Sequence, residues 1–570
     1  MDWSHHVAAA LDAHSPGHWR SLSVAELQHV PRPVDVLAWS AGWRLQIPEN
    51  WVRCACISYL FLLVDSAFPR SQPRIAAPEV QPEWTWPHVE SGGILCLRKS
   101  ALQASLDERI RDHLAWAFQL LNYTDQEVRH EFEREFATYW ALHRTSGSRV
   151  PHALTILEPR RKTREVAIYL GEPKSRIVAA ENREQLIGWL HNNGINPRQK
   201  DLATSLLAWL PRPWTPTDFP TRGEDVLHLL PEESISRLMR PGRPLPIIFG
   251  ATTRSGIVFA TVLLESAPKR DLVRGFRHWT HVPKDIIRGS FAKHSATRCR
   301  TTRVDGSWIH GRDHNREYPE VACRRVAIIG CGSLGSSIAR LLAQAGVGEF
   351  LTMDGDSLSS ANTSRHILGQ KAINKNKART LALVLGGDFP HIRSTEAVPA
   401  HFSAITEDQL SAVESCDLIV TAGIQVEGDA QVDEWRRRLS RPPIHVCTWV
   451  EPFAIVGHAV ALIQSASIME AFDPNDRVQF RVTEWPLESG ALITEAGCGH
   501  VFQPHGAAEL QGTASMASRL ILDALSGRIT SSVRRVYCGD MSGVERLGGK
   551  TRASFCPEAS LTEYKWTGAQ

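Results

Sequence analysis

The stretch RRVAIIGCGSLGSSIARLLAQAGVGEFLTMDGD, Arg324–Asp356, decides the fold class of the C-terminal part of the chain. Arg325–Ile329 is apolar in the manner of a buried strand, Ser336–Ala345 repeats its apolar residues at helical spacing, and Phe350–Asp354 is strand-like again. Gly330, Gly332 and Gly335 fall between the first strand and the helix. Glycine permits the tight bend and lets backbone approach a ligand closely, while the free N–H groups and positive dipole end of the following helix suit phosphate oxygens. Asp354 ends the second strand, where a carboxylate can accept hydrogen bonds from a ribose. The alternation continues through Lys375–Leu385 and Leu418–Thr421, which predicts a parallel sheet with helical crossovers.

Glycine spacing alone does not separate a nicotinamide dinucleotide from ATP; the residues that follow do. Asp356, Asn362, Arg365 and Lys377 succeed Asp354. A plain dinucleotide domain has no reason to carry this set, whereas a triphosphate under attack at its α-phosphorus needs a planar guanidinium and a point-charge ammonium. The run Arg324–Lys377 resembles the adenylation domain of ubiquitin-activating-type enzymes, the ThiF/MoeB-type superfamily. The shared pattern is Gly-x-Gly-x-x-Gly, then Ala345-Gly346-Val347-Gly348, Asp-x-Asp, Asn and Arg at eight and eleven positions after the first Asp, then Lys. The resemblance implies a Rossmann-like domain that uses ATP and Mg²⁺ to adenylate a protein's C-terminal carboxylate. Gly330, Gly332, Gly335, Asp354, Asp356, Asn362, Arg365 and Lys377 would bind the nucleotide, with Arg365 and Lys377 also catalytic. The family usually carries a metal-binding Asp beyond the strand that corresponds to Leu418–Val420; here that stretch is Thr421-Ala422-Gly423-Ile424-Gln425. Asp356 is therefore the expected magnesium ligand, with Glu427 and Asp429 as substitutes. Arg312 is a weaker candidate for a further phosphate contact.

Nearer the N-terminus stand Phe68-Pro69, Pro73, Trp86-Pro87-His88, Gly93 and Cys96-Leu97. This resembles a ubiquitin-conjugating enzyme, whose His-Pro-Asn motif has its Asn eight residues, and a Gly three residues, before the catalytic cysteine. His88 and Gly93 stand at those offsets from Cys96. His88 replaces the usual Asn and would donate a hydrogen bond to a developing oxyanion. A free thiol is partly thiolate near neutral pH, which suffices for thioester exchange. A second candidate thiol is Cys498, between Gly497 and Gly499, in the place where activating enzymes carry an acyl-accepting cysteine on a crossing loop. His500 or His505 could assist proton transfer. Its rivals are Cys538, Cys447 and Cys556.

With 570 residues the chain has room for roughly three or four domains. Three blocks are expected: a ubiquitin-conjugating-like α+β domain over 1–150 that closes in a helical stretch, Leu106–His143; an α+β linker domain over 151–305 with a strand pair at Leu245–Phe249 and Gly256–Leu264; and the adenylation domain over 306–570. The fold class is thus multidomain α/β and α+β. Apolar residues at 43% and charged residues at 22% are ordinary globular values. A net charge of +3 provides no strong field for nucleic acid. Met1–Arg20 lacks the apolar core of a secretion signal and the run Cys54–Val64 stops at Asp65, so a cytoplasmic chain without a membrane span is expected. Eleven cysteines without a Cys-x-x-Cys pair argue against disulfide stapling and a four-thiolate zinc site. Most of the 24 histidines are expected at the surface, and Arg436–Arg438 with Arg441 is expected to be a solvated face.

The order of the blocks is similar to the fused activating and conjugating ligases associated with CD-NTases in bacterial CBASS anti-phage operons. That resemblance implies ATP-dependent activation of the C-terminal tail of a cGAS-like CD-NTase, a thioester relay from Cys498 to Cys96, transfer to an amine acceptor on a protein or small molecule, and a homodimer. The alternatives are a sulfur-carrier adenylyltransferase, an NAD-dependent oxidoreductase whose Asp354 holds the ribose, and a scaffold of inactive domains.

Overall fold

In the N-terminal 150 residues, apolar side chains alternate along four antiparallel strands, β1 (Trp19–Ser21), β2 (Trp39–Gln46), β3 (Tyr59–Asp65) and β4 (Arg74–Ala76), in spatial order β1-β2-β3-β4. Trp43, Leu60, Leu62 and Ile75 point to one face, where Ile110, Leu114, Ala117 and Leu121 of α1 (Leu106–Leu121) meet them. The computed structural model of the chain describes all residues except 1–2, 15–17, 34, 37, 48–51, 55–56, 81–84, 102, 143–149, 172–175, 474–477, 492, 495–500, 553–559 and 567–570. The helical stretch expected over Leu106–His143 is three helices: α1, α2 (Asp125–Arg134) and α3 (Phe136–Leu142). The break is chemical. Thr124 caps α2, its side chain accepting from the Glu127 N–H while Glu127 reaches back to the Thr124 N–H, so a new helix starts there rather than continuing.

The chain falls into two compact units, Met1–Val150 with Ala208–Arg300, and Pro151–Leu207 with Thr301–Gln570. Within the first, α3 buries Phe136, Tyr139 and Trp140; the Trp140 indole donates to the Cys299 carbonyl at 2.9 Å and lies 5.9 Å from Trp214. The expected strand pair is a hairpin of Leu245–Thr253 and Gly256–Leu264.

The second unit holds an eight-stranded sheet of β5 (Arg325–Ile329), β6 (Glu349–Met353), β7 (Ser394–Val398), β8 (Leu418–Ala422), β9 (Ile444–Val450), β10 (Val456–Leu462), β11 (Val533–Cys538) and β12 (Leu561–Lys565). Their order is β7-β6-β5-β8-β9-β10-β11-β12, the first five mutually parallel and the rest antiparallel. The chain runs from β5 to one side through β6 and β7, then returns to the other through β8. The ends of β5 and β8 therefore flank the crevice where open α/β sheets bind ligands. Helices α4 (Ser333–Ala345), α5 (Lys377–Asp388) and α7 (Ala507–Leu525) contribute Ile338, Leu342, Leu381, Ala514 and Ile521 to one core; α6 (Val426–Arg437) covers part of another with Val432. Among the described residues no helix is long and apolar enough to cross a membrane.

The basic run Arg436–Arg438 departs from the expected solvated face. Arg437 and Arg438 are exposed, but Arg436 is fully buried and donates to Asp433 at 2.9 Å, to the Gln464 carbonyl at 2.8 Å and to the Ala466 carbonyl at 2.7 Å. Its hydrogen bonds satisfy carbonyls of the loop that follows β10.

Candidate functional site

The glycine turn divides its labour. Gly330 has φ +87°, and a Cβ there would sit 2.6 Å from the Ala422 carbonyl oxygen, so both backbone conformation and the approach of β8 require glycine. At Gly335 a Cβ would lie 1.9 Å from the Gly330 carbonyl oxygen, which sets the contact between helix and turn. Gly332 differs. It is the N-terminal cap of α4 in an extended conformation, and a Cβ there would meet nothing within 4 Å. The protein's own packing does not use that space, which has room for a phosphate above the first turn of α4.

Asp354 is 9% exposed, and it braces this turn. Its Oδ2 accepts from the Cys331 N–H at 2.8 Å and its Oδ1 from the Asp356 N–H at 2.8 Å. Burial raises the pKa of this carboxyl above the usual carboxylate range, with the Lys377 charge opposing the shift. Lys377 opens α5, which Asn376 caps by accepting from the Arg379 N–H. The Lys377 ammonium, with only 13% of its side chain exposed, lies 3.1 Å from Asp356 Oδ2; His401 Nε2 is 3.7 Å from the other oxygen of the exposed Asp356. Asn362 accepts from the Ser359 N–H and hydroxyl through Oδ1, leaving its amide nitrogen the donor side. Arg365 donates to the Ala361 carbonyl at 3.2 Å, and its charge acts on His505. Arg312 is exposed, with φ +52°.

These residues fit a nucleoside triphosphate: an open face over Gly332, a carboxylate at the end of β6, and an ammonium with little exposure. For Mg²⁺, Asp356 is an accessible oxygen donor of the right type. Beyond β8, Ala422–Gln425 provides no carboxylate. Glu427 is exposed beside it, while Asp429 is buried and its carboxyl is pushed up to about 7 by desolvation.

A cavity of about 610 Å³ extends from Gly332–Leu334 along Ala422–Glu427 to Trp449, Phe472 and His505. His505 Nδ1 donates to the Gln503 carbonyl at 2.9 Å, which fixes the tautomer and leaves Nε2 a lone-pair acceptor, buried and without a hydrogen-bond partner. Burial keeps the ring's pKa below the usual histidine value. Cys498, with its flanking glycines and His500, lies outside the described residues, as does Cys556. The other two rival thiols are buried: Cys447 in β9 and Cys538 at the end of β11.

In the first unit Cys96 is exposed, and its N–H donates to the His88 carbonyl at 2.8 Å, so the two residues of the motif are backbone neighbours. Gly93 has φ +76° and a Cβ there would lie 2.1 Å from the Ala77 carbonyl oxygen; this glycine serves the turn. His88 has φ +58° and donates its N–H to the Tyr139 hydroxyl at 2.8 Å. Its ring is turned to α2 and the residue after it, with Nε2 3.2 Å from Glu131 and Nδ1 3.7 Å from Glu135. The imidazole is thus engaged by carboxylates. The Cys96 thiol is raised above its ordinary pKa, first by loss of hydration around the sulphur and then by Glu90 and Glu135.

Two residues of the candidate nucleotide site escaped sequence reasoning. His366, buried, accepts the Leu368 N–H at Nδ1 (3.0 Å), so Nε2 carries the proton and donates to the Cys331 carbonyl at 2.7 Å. The turn is therefore held from both sides of Cys331, by Asp354 at its N–H and by His366 at its carbonyl. His366 follows Arg365 directly, and that adjacency was the available signal. The other is Asn376, whose amide donates to the Asp354 carbonyl at 2.8 Å and so ties the start of α5 to the end of β6.

Residues 316–482 match the ThiF family. The chain is 26% identical over 242 residues to the ATP-dependent ubiquitin transferase-like protein Cap2 of Pseudomonas aeruginosa, covering 41% of each chain. It is 24% identical over 284 residues to Cap2 of Vibrio cholerae (44% of this chain, 47% of that protein). To the adenylyltransferase and sulfurtransferase MOCS3 of Mus musculus it is 28% identical over 269 residues (43% and 57%). The chain thus spans about half the length of these relatives. Among solved structures, E. coli MccB with AMPCPP and MccA aligns with a TM-score of 0.31 at 14% identity, over 43% of this chain and 67% of that one. The glycine turn, β5–β8 and α4 to α6 all lie within the matched segment: the second unit of this chain carries a ThiF-family domain.

Proposed function

We propose that this chain is an ATP-dependent transferase that adenylates the C-terminal carboxylate of a protein partner and passes it through two thiols to an amine. The observation that carries the reading is the meeting of the open face at Gly332 with Asp354, Asp356 and Lys377 at the sheet's switch point. Asp354 would hold the ribose, Asn362 and Arg365 the phosphates, and Lys377 the charge that develops on the α-phosphate and on departing pyrophosphate. Asp356 would hold Mg²⁺, which supplies further neutralisation of the phosphates when bound. His505 Nε2 is a suitable acceptor for the proton of Cys498, seven residues away in sequence. Cys498 displaces AMP to form a thioester, Cys96 takes the acyl group by thiol exchange, and an amine receives it as an amide while the Cys96 thiol is regained. Tethering the two catalysts in one chain raises the effective concentration of the second thiol to about millimolar.

The order of the blocks, similar to that of the fused ligases of CBASS operons, is the basis for assigning the tail to a CD-NTase in antiviral defence, the acceptor to a protein or small amine, the setting to the bacterial cytoplasm, and the assembly to a homodimer. The test is ATP–pyrophosphate exchange with candidate partners that have a free or an amidated C-terminus. Exchange that depends on the free carboxylate is expected; a nicotinamide-dependent oxidoreductase gives none. The MOCS3 likeness favours one second reading, sulfur-carrier activation, which predicts a thiocarboxylate in place of an amide-linked conjugate.

A further inference from the structure

The cavity of about 610 Å³ runs across the ends of three neighbouring strands: Gly332 follows β5, Ala422 ends β8, and Trp449 and Val450 end β9. At about 4.7–4.9 Å per strand, Trp449 stands roughly 10 Å across the sheet from the glycine turn. Asp354, to which the proposed adenylation gives the ribose, follows β6 on the opposite side of β5. A nucleotide that reaches the turn from β6 leaves the β9 half of the cavity to whatever approaches the phosphates from the other side.

That half is apolar and its shape is set in advance. Its walls are Ile424, Val426, Trp449, Ile468, Phe472 and Leu510. Trp449 stands directly opposite His458 on β10 and stacks on its ring, with centroids 5.1 Å apart and planes at 22°. His458, fully buried, donates through Nε2 to Glu451 at 2.8 Å, and Glu451 accepts from the Val482 and Thr483 N–H groups, each at 2.8 Å. One buried carboxylate thus fixes the histidine behind the indole and ties it to the segment that carries Phe480, whose ring lies 5.9 Å from Trp449. Phe472 is placed by its backbone: its N–H donates to the Met469 carbonyl at 3.2 Å, and its carbonyl accepts from the Gln479 amide at 3.1 Å. Among the described residues that line the cavity the charged ones are Glu427 and Asp429, with no lysine or arginine. An acidic side chain that entered would lose hydration and meet only carboxyl groups.

We infer that the β9 half of this cavity selects the partner's tail, accepting a large apolar side chain from its last residues and rejecting an acidic one. The inference rests on the proposed adenylation, which brings the terminal carboxylate to the glycine turn. An extended chain covers roughly 10 Å in about three residues, so the side chain that reaches Trp449 belongs to one of the last three. Trp449, Ile468 and Phe472 are the specificity-determining residues. Filling their pocket supplies apolar burial that a glycine in the same position cannot.

The probes are acetylated hexapeptides of glycine and serine with a free C-terminal carboxylate, in which Phe, Leu or Asp is placed at each of the last three positions in turn. Each is titrated by calorimetry into the full chain, with and without a non-hydrolysable ATP analogue. At one of these positions Phe or Leu should tighten binding about 10- to 100-fold over the glycine–serine parent, and Asp should not tighten it at any. Trp449→Ala should reduce that preference to below about threefold while the analogue binds as to wild type. Because Trp449→Ala could fail to fold, a second variant is Val426→Asp. Val426 is 43% exposed at the start of α6, where a carboxylate suits the helix, and the added charge should also lower the preference. Equal binding of the Phe, Leu and parent peptides, tightest binding by an Asp peptide, or a preference unchanged in both folded variants would overturn the inference even where the analogue binds. An apolar preference that holds while the analogue fails to bind would instead count against the ATP reading alone.

Discussion

Asp354→Asn separates two jobs that the carboxylate could have. In the structure each oxygen accepts a backbone N–H at 2.8 Å, from Cys331 and from Asp356. An asparagine of the same shape has one acceptor, so in either orientation one of these N–H groups faces an NH₂. Losing one charge-assisted bond costs about 1.5–3 kcal/mol, and a stranded donor adds to that. Removing a buried charge that desolvation already disfavours gives part of it back. A net loss of about 2 kcal/mol is expected, the lower half of that range. At about 2–4 °C per kcal/mol this is a fall of about 4–8 °C in the melting of the ThiF-containing unit. The assay is calorimetry of the full chain with and without ATP, beside direct titration of ATP. A variant that melts within about 1 °C of wild type yet binds ATP weakly would refute the bracing role and leave the carboxylate to the ribose alone.

Lys377→Ala should lower ATP–pyrophosphate exchange by about 100-fold or more while the melting temperature moves little, since its ion pair with exposed Asp356 is worth at most about 1 kcal/mol. Cys96→Ala, or omission of ATP, should leave no conjugate on a denaturing gel; conjugates that persist with Cys96→Ala would sink the relay. Glu135→Gln removes one of the charges that raise the Cys96 thiol, so alkylation of Cys96 near pH 7.5 should quicken by about two- to threefold, read by mass spectrometry. His391 is lowered from 6.5 to about 4 by burial, with His310 adding to the shift. The unfolded chain therefore binds a proton that the folded one refuses, and stability is lost as pH falls from about 6.5 to about 4, by at most about 3 kcal/mol. His391→Gln should flatten that slope in urea titrations across this range.

The ThiF-family domain was legible because its signals are local. Apolar runs, three glycines and a strand-ending Asp lie within 33 residues, and the backbone follows them to within three residues at β5, α4 and β6. The helical stretch expected over Leu106–His143 is divided at Thr124, where a capping box outweighs continuing periodicity. Arg436 failed for a different reason: its burial is made by carbonyls of residues 464 and 466, which no window around the arginine contains. The orientation of the His88 ring likewise depends on Glu131 and Glu135, more than 40 residues on. Offsets could align His88 with Cys96 but could not indicate which way the imidazole turns.

Gly332 has a practical consequence. Its two companions are locked in by contacts with the Ala422 and Gly330 carbonyls, whereas a methyl at 332 touches no protein atom. In the proposed site an alanine there would occupy the volume assigned to the triphosphate without disturbing the scaffold. It offers a conformationally faithful, chemically silent version of the chain, with every thiol and every charged side chain in place, suited to capturing whichever macromolecule docks before the first bond is made.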